Sequence, residues 1–412
     1  RIKHMKVVHL NNADNSGGAA IAAYRLHRSL LDRKLHSRMW VNFAKSEDWT
    51  VKGPNGKFLK AFAQMRRHLV TPLLNVMKTD NNILHSPNIF PSSWSKKINK
   101  SDADIAHLHW VGAEMASIKD IGGINKPVIW TLHDMWAFCG AEHVSWDNRW
   151  REGYTKKNRL HTEGGFDLNR WTWNRKIKYW KRPLNIVAVS NWLAECAKKS
   201  LLMKDWPVSV IPNCLDTEIW KPEDKKLARN LLGLPKDEFL IAFGTYGANS
   251  EYHKGFDLLA EALNHLRDDR NNAMLAIYGQ TTPKKPKDLG FKTKFMGHFN
   301  DELSLRLFYS AIDVLVVPSR VESFGQTASE SMACGNPVVA FSTTGLKDIV
   351  DHKVNGYLAK PFETEDLANG IKYIMNSSEY VELCNNAREK AKKKFDSTVV
   401  ARQYEQLYNE IL

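Results

Sequence analysis

The sequence predicts an α/β protein built from two doubly wound domains. Three observations carry that prediction. Short β-branched runs alternate with segments of helical apolar spacing, the signature of parallel sheets covered by helices. The alternation forms two series, each with its own early glycine-bearing turn, rather than one sheet of about ten strands. Prolines 207, 212 and 222 cluster between the series around Asn213-Cys214-Leu215-Asp216, which places a boundary within 203–222.

The first series has strands at Val7–Leu10, Ile105–His109, Val128–His133 and Ile186–Val189. The second has Ser209–Ile211, Leu240–Gly244, Ala273–Tyr278, Val314–Pro318 and Val338–Phe341. Between them, spacings such as Phe256, Leu259, Leu263 and Leu266 mark helices. Open parallel sheets bind ligands at the carboxyl ends of their strands. Two such sheets predict a site in a central cleft that they face. The segment 140–182 is less regular and carries Trp146, Trp150, Trp171, Trp173 and Trp180 among basic residues.

Composition narrows the function classes. Over 412 residues, 43% are hydrophobic and 25% charged, which excludes fibrous and disordered classes. No run approaches the ~18 apolar residues of a spanning helix. Five cysteines at irregular spacing, with no CxxC pair, give neither a disulfide framework nor a structural zinc site. Lys and Arg number 59 against 45 Asp and Glu, a net charge of +14. That favours phosphorylated small molecules, an anionic membrane surface or nucleic acid as partners. Arg1–His4 read as an extraneous tag before Met5, after which the chain enters a strand-like run with no signal-peptide pattern. With free thiols, this predicts the cytoplasm, with the inner face of the cell membrane as a further option.

Several residues stand where chemistry is expected. Asn15-Ser16-Gly17-Gly18-Ala19-Ala20 joins the first strand to an amphipathic helix. Gly17 and Gly18 let backbone approach a ligand, and the helix start offers N–H groups to an anion. The turn is not GxGxxG, and on its own it reads first as a plain tight strand–helix turn. After the strand Val314–Pro318, a loop carries Glu322 and a helix begins near Gly325, Gln326 and Thr327. That helix start suits a diphosphate, with Glu330 deeper along the helix for a ribose diol and Glu322 for hydroxyls beyond the phosphates. As isolated residues they read as a surface glutamate and a helix-dipole partner. Lys254 precedes Gly255 and a long helix, a compact charge suited to phosphate or simply solvated. His133-Asp134 ends a strand, so the histidine faces the cleft in either a structural or a functional role. His107 and His109 share one strand face, but no carboxylate or cysteine completes a metal set, and none is predicted.

In this order the pieces resemble retaining glycosyltransferases of family 4, with the GT-B fold. The resemblance covers nearly the whole chain from Met5. It is most specific at Glu322-x7-Glu330 enclosing Phe324-Gly325. Pro318-Ser319-Arg320, the run from Ala333 to Ala340, Gly345 to Val350, Asn355-Gly356, Ile211-Pro212-Asn213 and Lys254-Gly255 also match. In the first half, Ser16-Gly17-Gly18 and the run from Thr131 to Trp136 match. The nearest branch serves bacterial capsule and exopolysaccharide assembly. The resemblance implies two Rossmann-like domains. Residues 5–205 would bind acceptor, with a C-terminal helix over 396–412 packing back on them, and residues 206–395 would bind the nucleotide-sugar donor. It implies that Glu330 holds the donor ribose and Glu322 the sugar hydroxyls. Phe324, Gly325, Gln326 and Thr327 would give backbone contacts, and Lys254 would neutralise the diphosphate. Gly17 and Gly18 would meet phosphates or acceptor from the other domain, His133 would lie near the reacting sugar, and Phe299, in Gly297-His298-Phe299, would line the base pocket.

The chain departs from the family at three places. Thr245 stands where an arginine often follows Gly244, Cys214 replaces the glycine after Asn213, and only Cys139 precedes Cys196 after the His-Asp motif.

These features predict a metal-independent hexosyltransferase. It moves a sugar, from a UDP-sugar by preference, to a hydroxyl of a growing polysaccharide or lipid-linked saccharide. Charge on the leaving diphosphate would be met by Lys254 and the helix start at Gly325. His133, Lys254 and Glu322 are the catalytic candidates. A nucleotide-sugar epimerase would use the same donor pocket without an acceptor. A nucleic-acid binder would use the basic tryptophan-rich stretch for stacking, but no recognised module is present, so nucleic acid is not an expected partner. The segment Lys57–Met77 places Phe58, Leu59, Phe62, Met65, Leu69, Leu73 and Val76 at helical spacing among Lys57, Lys60, Arg66 and Arg67. Two fates fit: packing on its own domain, the commoner one, or lying on an anionic bilayer, where the acceptor would be polyprenyl-diphosphate-linked.

Overall fold

The computed structural model describes residues 5–244, 252–267, 272–283 and 288–412. Thr245, the first departure above, lies outside the described residues. The chain divides into two units, one comprising residues up to Cys214 with Val400–Leu412, the other Leu215–Val399.

The strands of the first unit are β1 (Lys6–Ala13), β2 (His36–Phe43), β3 (Val51–Lys52), β4 (Met77–Lys78), β5 (Ile105–Leu108), β6 (Val128–Leu132), β7 (Gly164–Gly165), β8 (Asn185–Ala188) and β9 (Val208–Val210). Seven form a parallel sheet in the order β3-β2-β1-β5-β6-β8-β9, and β4 pairs antiparallel with β7. The central strands β5 and β6 are buried at every residue, as expected of a parallel sheet covered on both faces. Register sets His9 of β1 beside His107 of β5. The two-residue strand period then adds His109 just beyond the end of β5, and so gathers histidines in the interior.

The helix Ser397–Ile411 closes this core. Val400, Ala401, Tyr404 and Tyr408 pack with Val7, Leu26, Leu30, Ile105, Ile129 and Val187. Its tyrosines also bring polar ties. Tyr408 Oη lies 2.7 Å from His107 Nδ1, and Tyr404 Oη 2.9 Å from Thr131 Oγ1, which in turn meets His107 Nε2 at 2.7 Å. Burial is therefore accompanied by a partner for each ring nitrogen of His107, as a buried polar group requires.

The second unit holds β10 (Phe239–Gly244), β11 (Ala273–Tyr278), β12 (Lys292–Phe295), β13 (Val314–Val317), β14 (Val338–Phe341) and β15 (Gly356–Ala359). They form a parallel sheet in the order β12-β11-β10-β13-β14-β15. The core joins Ile241, Phe243, Leu275, Ile277, Val314 and Val316 to Leu259, Leu263, Leu367 and Ile371 of the covering helices. The two parallel doubly wound sheets are those the sequence predicts.

Two expectations are corrected. The strand read at Ser209–Ile211 does not open the second sheet. As β9 it extends the first, pairing with β8, and Ile211 and Cys214 join the first core. The unit division falls after Cys214, inside the stretch 203–222 where the prolines place a boundary. The segment 140–182 is largely interior: Trp150, Trp173 and Trp180 are buried and Lys176 is fully enclosed, while Trp146 remains 47% exposed. The Lys176 ammonium donates to the carbonyls of Trp136, Cys139 and Gly140 and sits 4.1 Å from the Trp136 ring centroid. That takes three of the five tryptophans out of the aromatic platform on which the nucleic-acid reading stood. No helix among the described residues is long and apolar enough to cross a membrane.

The double role of Tyr408 sets a graded expectation. Tyr408→Ala should cost ~3–5 kcal/mol through lost packing. Tyr408→Phe, which only strands the His107 nitrogen, should cost ~1–3 kcal/mol. Urea denaturation of the two variants measures both.

Candidate active site

In the second unit the strand β13 ends at Val317 and the chain loops through Pro318–Gly325 before the helix Gln326–Ala333. Gly325 caps that helix at φ 108, a backbone position that favours glycine, and a Cβ there would meet Leu346 at 2.9 Å. A similar constraint acts at Gly255, ahead of the helix Phe256–Asn264. Its φ is 70, and a Cβ would fall 2.0 Å from the Pro318 carbonyl oxygen. The Lys254-Gly255 turn and the Pro318 loop are thus pressed together, and only glycine permits it.

This approach brings Lys254 to Glu322. The ammonium donates to Glu322 Oε1 at 2.7 Å, and Ser319 Oγ donates to the same oxygen at 2.9 Å. The backbone of Glu322 is fixed by its N–H to Thr344 Oγ1 at 3.0 Å and its carbonyl to Gly345 N–H at 2.9 Å. Burial pushes the Glu322 carboxyl up, but the Lys254 charge and these hydrogen bonds outweigh it and hold the carboxyl below its ordinary value. Arg320 braces the pair. Its guanidinium donates to the Tyr252 carbonyl at 2.7 Å and, in a two-pronged contact at 2.8 and 2.6 Å, to Asp257, while lying over the Tyr252 ring. Ser319, Arg320, Asp257 and Thr344 were not singled out as site residues from sequence. The signal available was Pro318-Ser319-Arg320 itself.

Glu330 lies inside the helix and is 6% exposed. Burial and the Glu330 charge both push up the phenols of Tyr278 and Tyr309, whose hydroxyls lie 2.8 Å apart. It is therefore not the solvated glutamate of the plain reading. Gln326, first in the helix, has a buried side-chain Nε2 with no acceptor among the described residues. Buried amide donors are normally paired, so this one stands out. Gln280, beyond β11, likewise has an unpartnered buried Oε1. Phe299 stacks near Tyr278 and Phe308 at the same sheet edge. The side chain of Phe324 turns inward onto Phe395.

In the first unit, Gly17 caps the helix Gly18–Asp32 at φ 87 and both glycines are exposed. His133 follows β6 and belongs to a chain of imidazoles. Its Nε2 lies 3.2 Å from His109 Nδ1, and His109 Nε2 lies 2.9 Å from His9 Nδ1. Asp134 beside it accepts from His143 Nδ1 at 2.6 Å and Trp110 Nε1 at 2.7 Å, and Ser86 Oγ lies 2.7 Å from His143 Nε2. Burial raises the Asp134 carboxyl, but His143 and the hydrogen bonds bring it below its ordinary value. His109, Trp110, Gly112, His133, Asp134 and His143 line one small hollow. His9, His107 and His109 bring ring nitrogens within 4.8 Å of one another. Both nitrogens of His107 are occupied by hydroxyls and those of His109 by histidines, while His9 Nε2 is buried without a partner among the described residues.

Residues 16–219 match the model of Glycosyltransferase Family 4, and residues 224–394 match that of Glycosyl transferases group 1. The chain belongs to this family of glycosyltransferases, and its two parallel sheets are the GT-B fold. An uncharacterized glycosyltransferase, MJ1607 of Methanocaldococcus jannaschii, is 31% identical over 194 residues, covering 45% of this chain and 48% of that protein. The chain thus spans about half the length of that relative. The capsular polysaccharide biosynthesis glycosyltransferase CapM of Staphylococcus aureus is 24% identical over 84% of this chain and 97% of its own length. Among solved structures, Anabaena Alr3699/HepE in complex with UDP-glucose superposes with a TM-score of 0.65 at 18% identity, covering 99% of this chain and 100% of that one.

The histidine network predicts acid lability. Burial lowers His27 and His133 to about 4 and His107 to about 3, and takes His9 and His109 well below the ordinary 6.5. All are neutral in the fold, whereas the unfolded chain takes up protons as pH drops through about 6.5. Stability from this network is complete above that pH and declines as pH falls toward 4. Thermal melts across that window should show a falling midpoint, with a shallower fall in His107→Gln.

Proposed function

We propose that the protein transfers a sugar from a nucleoside diphosphate sugar, a UDP-sugar by preference, to a hydroxyl of a growing polysaccharide or lipid-linked saccharide, with retention at the anomeric carbon. One observation carries the reading. The Lys254–Glu322 pair stands on the loop that leads into the helix Gln326–Ala333, whose start has no side-chain cap and whose Gln326 Nε2 is buried without an acceptor among the described residues. A diphosphate is the group that uses all of these, since it brings acceptor oxygens and negative charge to a cation and a positive dipole end. Membership of the family supports the donor class, as does the UDP-glucose bound by the Anabaena protein of the same fold.

In this reading Lys254 divides its charge between Glu322 and the leaving diphosphate. As the glycosidic bond breaks, the ammonium and the N–H groups of Gln326 and Thr327 stabilise the developing charge without reorganising. Glu322, held ionised, accepts hydroxyls of the donor sugar, and Glu330 accepts the ribose diol. Phe299 and Gln280 border the base. Gly17 and Gly18 present backbone N–H groups to phosphate or acceptor, and His133 lies near the reacting sugar. The leaving phosphate takes the acceptor proton on the front face. Lysine and helix dipole perform the charge role, so turnover persists in chelator. The free cysteines and the family's activated substrates fit a cytoplasmic setting.

Calorimetric titration with UDP and GDP in chelator tests the reading. Wild type should bind one of them, and Glu330→Ala should bind it ~1.5–3 kcal/mol more weakly. Unchanged affinity removes Glu330 from the ribose role, and no binding of either nucleotide removes the donor site. Lys254→Met should raise the transfer barrier by ~2.7–4 kcal/mol, measured as turnover in a preparation whose melting confirms the fold.

A further inference from the structure

Three histidines of the first unit form one in-line chain. His9 stands on β1, His109 follows β5 and His133 follows β6. His9 Nδ1 lies 2.9 Å from His109 Nε2, and His109 Nδ1 lies 3.2 Å from His133 Nε2. The ring centroids are 5.2 and 5.5 Å apart, at tilts of 23° and 27°. Those separations exceed the N···N distances by about two ring radii, so the rings meet edge to edge, as an N–H···N bond requires. His107 lies on the flat of His109 at 4.2 Å, held by the Tyr408 and Thr131 hydroxyls at its two nitrogens. Stacked rings send their in-plane lone pairs side by side, which suits a packed support and not a shared metal ion. The chain has a closed end and an open one. His9 is fully enclosed, and its Nε2 has no partner among the described residues. His133 is half-buried and lines the small hollow with Asp134 and His143. Its Nε2 is turned inward to His109, which leaves Nδ1 for a ligand. Its backbone is held separately, because the neighbouring Asp134 accepts from His143, from Trp110 and from the Trp136 N–H at 2.9 Å. Burial lowers all three imidazoles below their ordinary value, so the chain is neutral.

We propose that His109 and His9 are positioning residues that fix the His133 ring and decide which of its nitrogens carries the proton. Their part in sugar transfer rests on the function proposed above; the tautomer itself does not. A neutral imidazole has one N–H and one bare nitrogen, so along a chain the choice at one ring sets the next. Among buried groups, an N–H without an acceptor is rarer than an acceptor without a donor. His9 therefore keeps Nε2 bare and carries its proton on Nδ1. It donates to His109 Nε2, His109 Nδ1 donates to His133 Nε2, and His133 is left with its proton on Nδ1. His133 thus offers the bound sugar a hydrogen-bond donor for a hydroxyl oxygen and does not act as a base. That agrees with a front-face path in which the leaving phosphate takes the acceptor proton. The protonation pattern of the outermost ring is set two rings away, at an enclosed residue.

Nitrogen NMR of the histidine-labelled full chain near neutral pH is the test, with His133 assigned by the loss of its signals in His133→Asn. Wild-type His133 should show a protonated Nδ1 and a bare Nε2. His9→Asn puts an amide donor where Nδ1 stood and should keep that pattern. His9→Leu removes the donor and should move His133 to a mixture that also carries its proton on Nε2. In turnover read as UDP release from UDP-glucose, His9→Leu should lower kcat about tenfold with UDP affinity unchanged, and His9→Asn should restore it. A proton on Nε2 of His133 in the wild type overturns the inference, as does a His133 pattern or a kcat that His9→Leu leaves unchanged. So does zinc binding by the wild type that His9→Leu abolishes, because the rings then serve as a ligand shell. The spectra need no substrate, so a failure to bind UDP removes the donor-site reading while the tautomer stands or falls on its own signals.

Discussion

Each strand pair in the two large sheets is parallel, so the carboxyl ends of the strands share one edge in each unit. That constraint decides where chemistry can sit. In the first unit it brings the turn after β1, the His109-Trp110 end of β5 and the His133-Asp134 end of β6 to a common edge. In the second it brings together the ends of β11 and β13, and with them Tyr278, the Glu322 loop and the helix that carries Glu330. His9 and His109 lie 100 residues apart in sequence, and Lys254 and Glu322 lie 68 apart. Parallel pairing, which requires a crossover for each strand, is what makes them neighbours.

Buried charge is handled in two ways. Lys176 and Arg66 are cations satisfied by backbone carbonyls, and each fixes the placement of its helix. They complete their own hydrogen bonding and so serve structure. Lys254 and Glu322 are paired with each other at the edge of the unit, with Arg320–Asp257 bracing the loops they stand on. In the proposed reading, a pair held by two loops and pressed together through Gly255 exchanges partners with a ligand. A cation locked on three carbonyls in the core cannot do so without local unfolding. This difference separates the site from the scaffold more clearly than residue type does.

The sequence pattern succeeded where burial is symmetrical and faltered where it is not. The apolar runs at Ala273–Tyr278, Val314–Val317 and Val338–Phe341 read directly, since both faces are covered and each residue is apolar. Val208–Val210 also read as a strand, but three residues carry no information about which sheet they join, and pairing with β8 settled it. The tryptophans of 140–182 looked like a surface platform because they alternate with basic residues. Periodicity does not show that Lys176 among them is an interior group, since its acceptors are carbonyls of Trp136, Cys139 and Gly140, far from it along the chain.

By itself the sequence determined the doubly wound class, the family and most of the candidate site. The physical reason is that these rest on local chemistry: strand period, glycine where φ is positive, and acids and a cation placed at strand ends. The tertiary structure decided what depends on contacts between distant segments. It joined Lys254 to Glu322 and placed Arg320 behind them. It buried Glu330 within electrostatic reach of Tyr278 and Tyr309, linked His133 through His109 to His9, and closed the first core with Tyr404 and Tyr408. It also turned Arg66 of the helix Lys57–Leu69 inward, onto the carbonyls of Phe90, Pro91 and Glu114, and the apolar stripe of that helix outward. A helical wheel shows that a stripe exists. Only the competition between that stripe and three buried carbonyls seeking a donor decides which side faces the solvent.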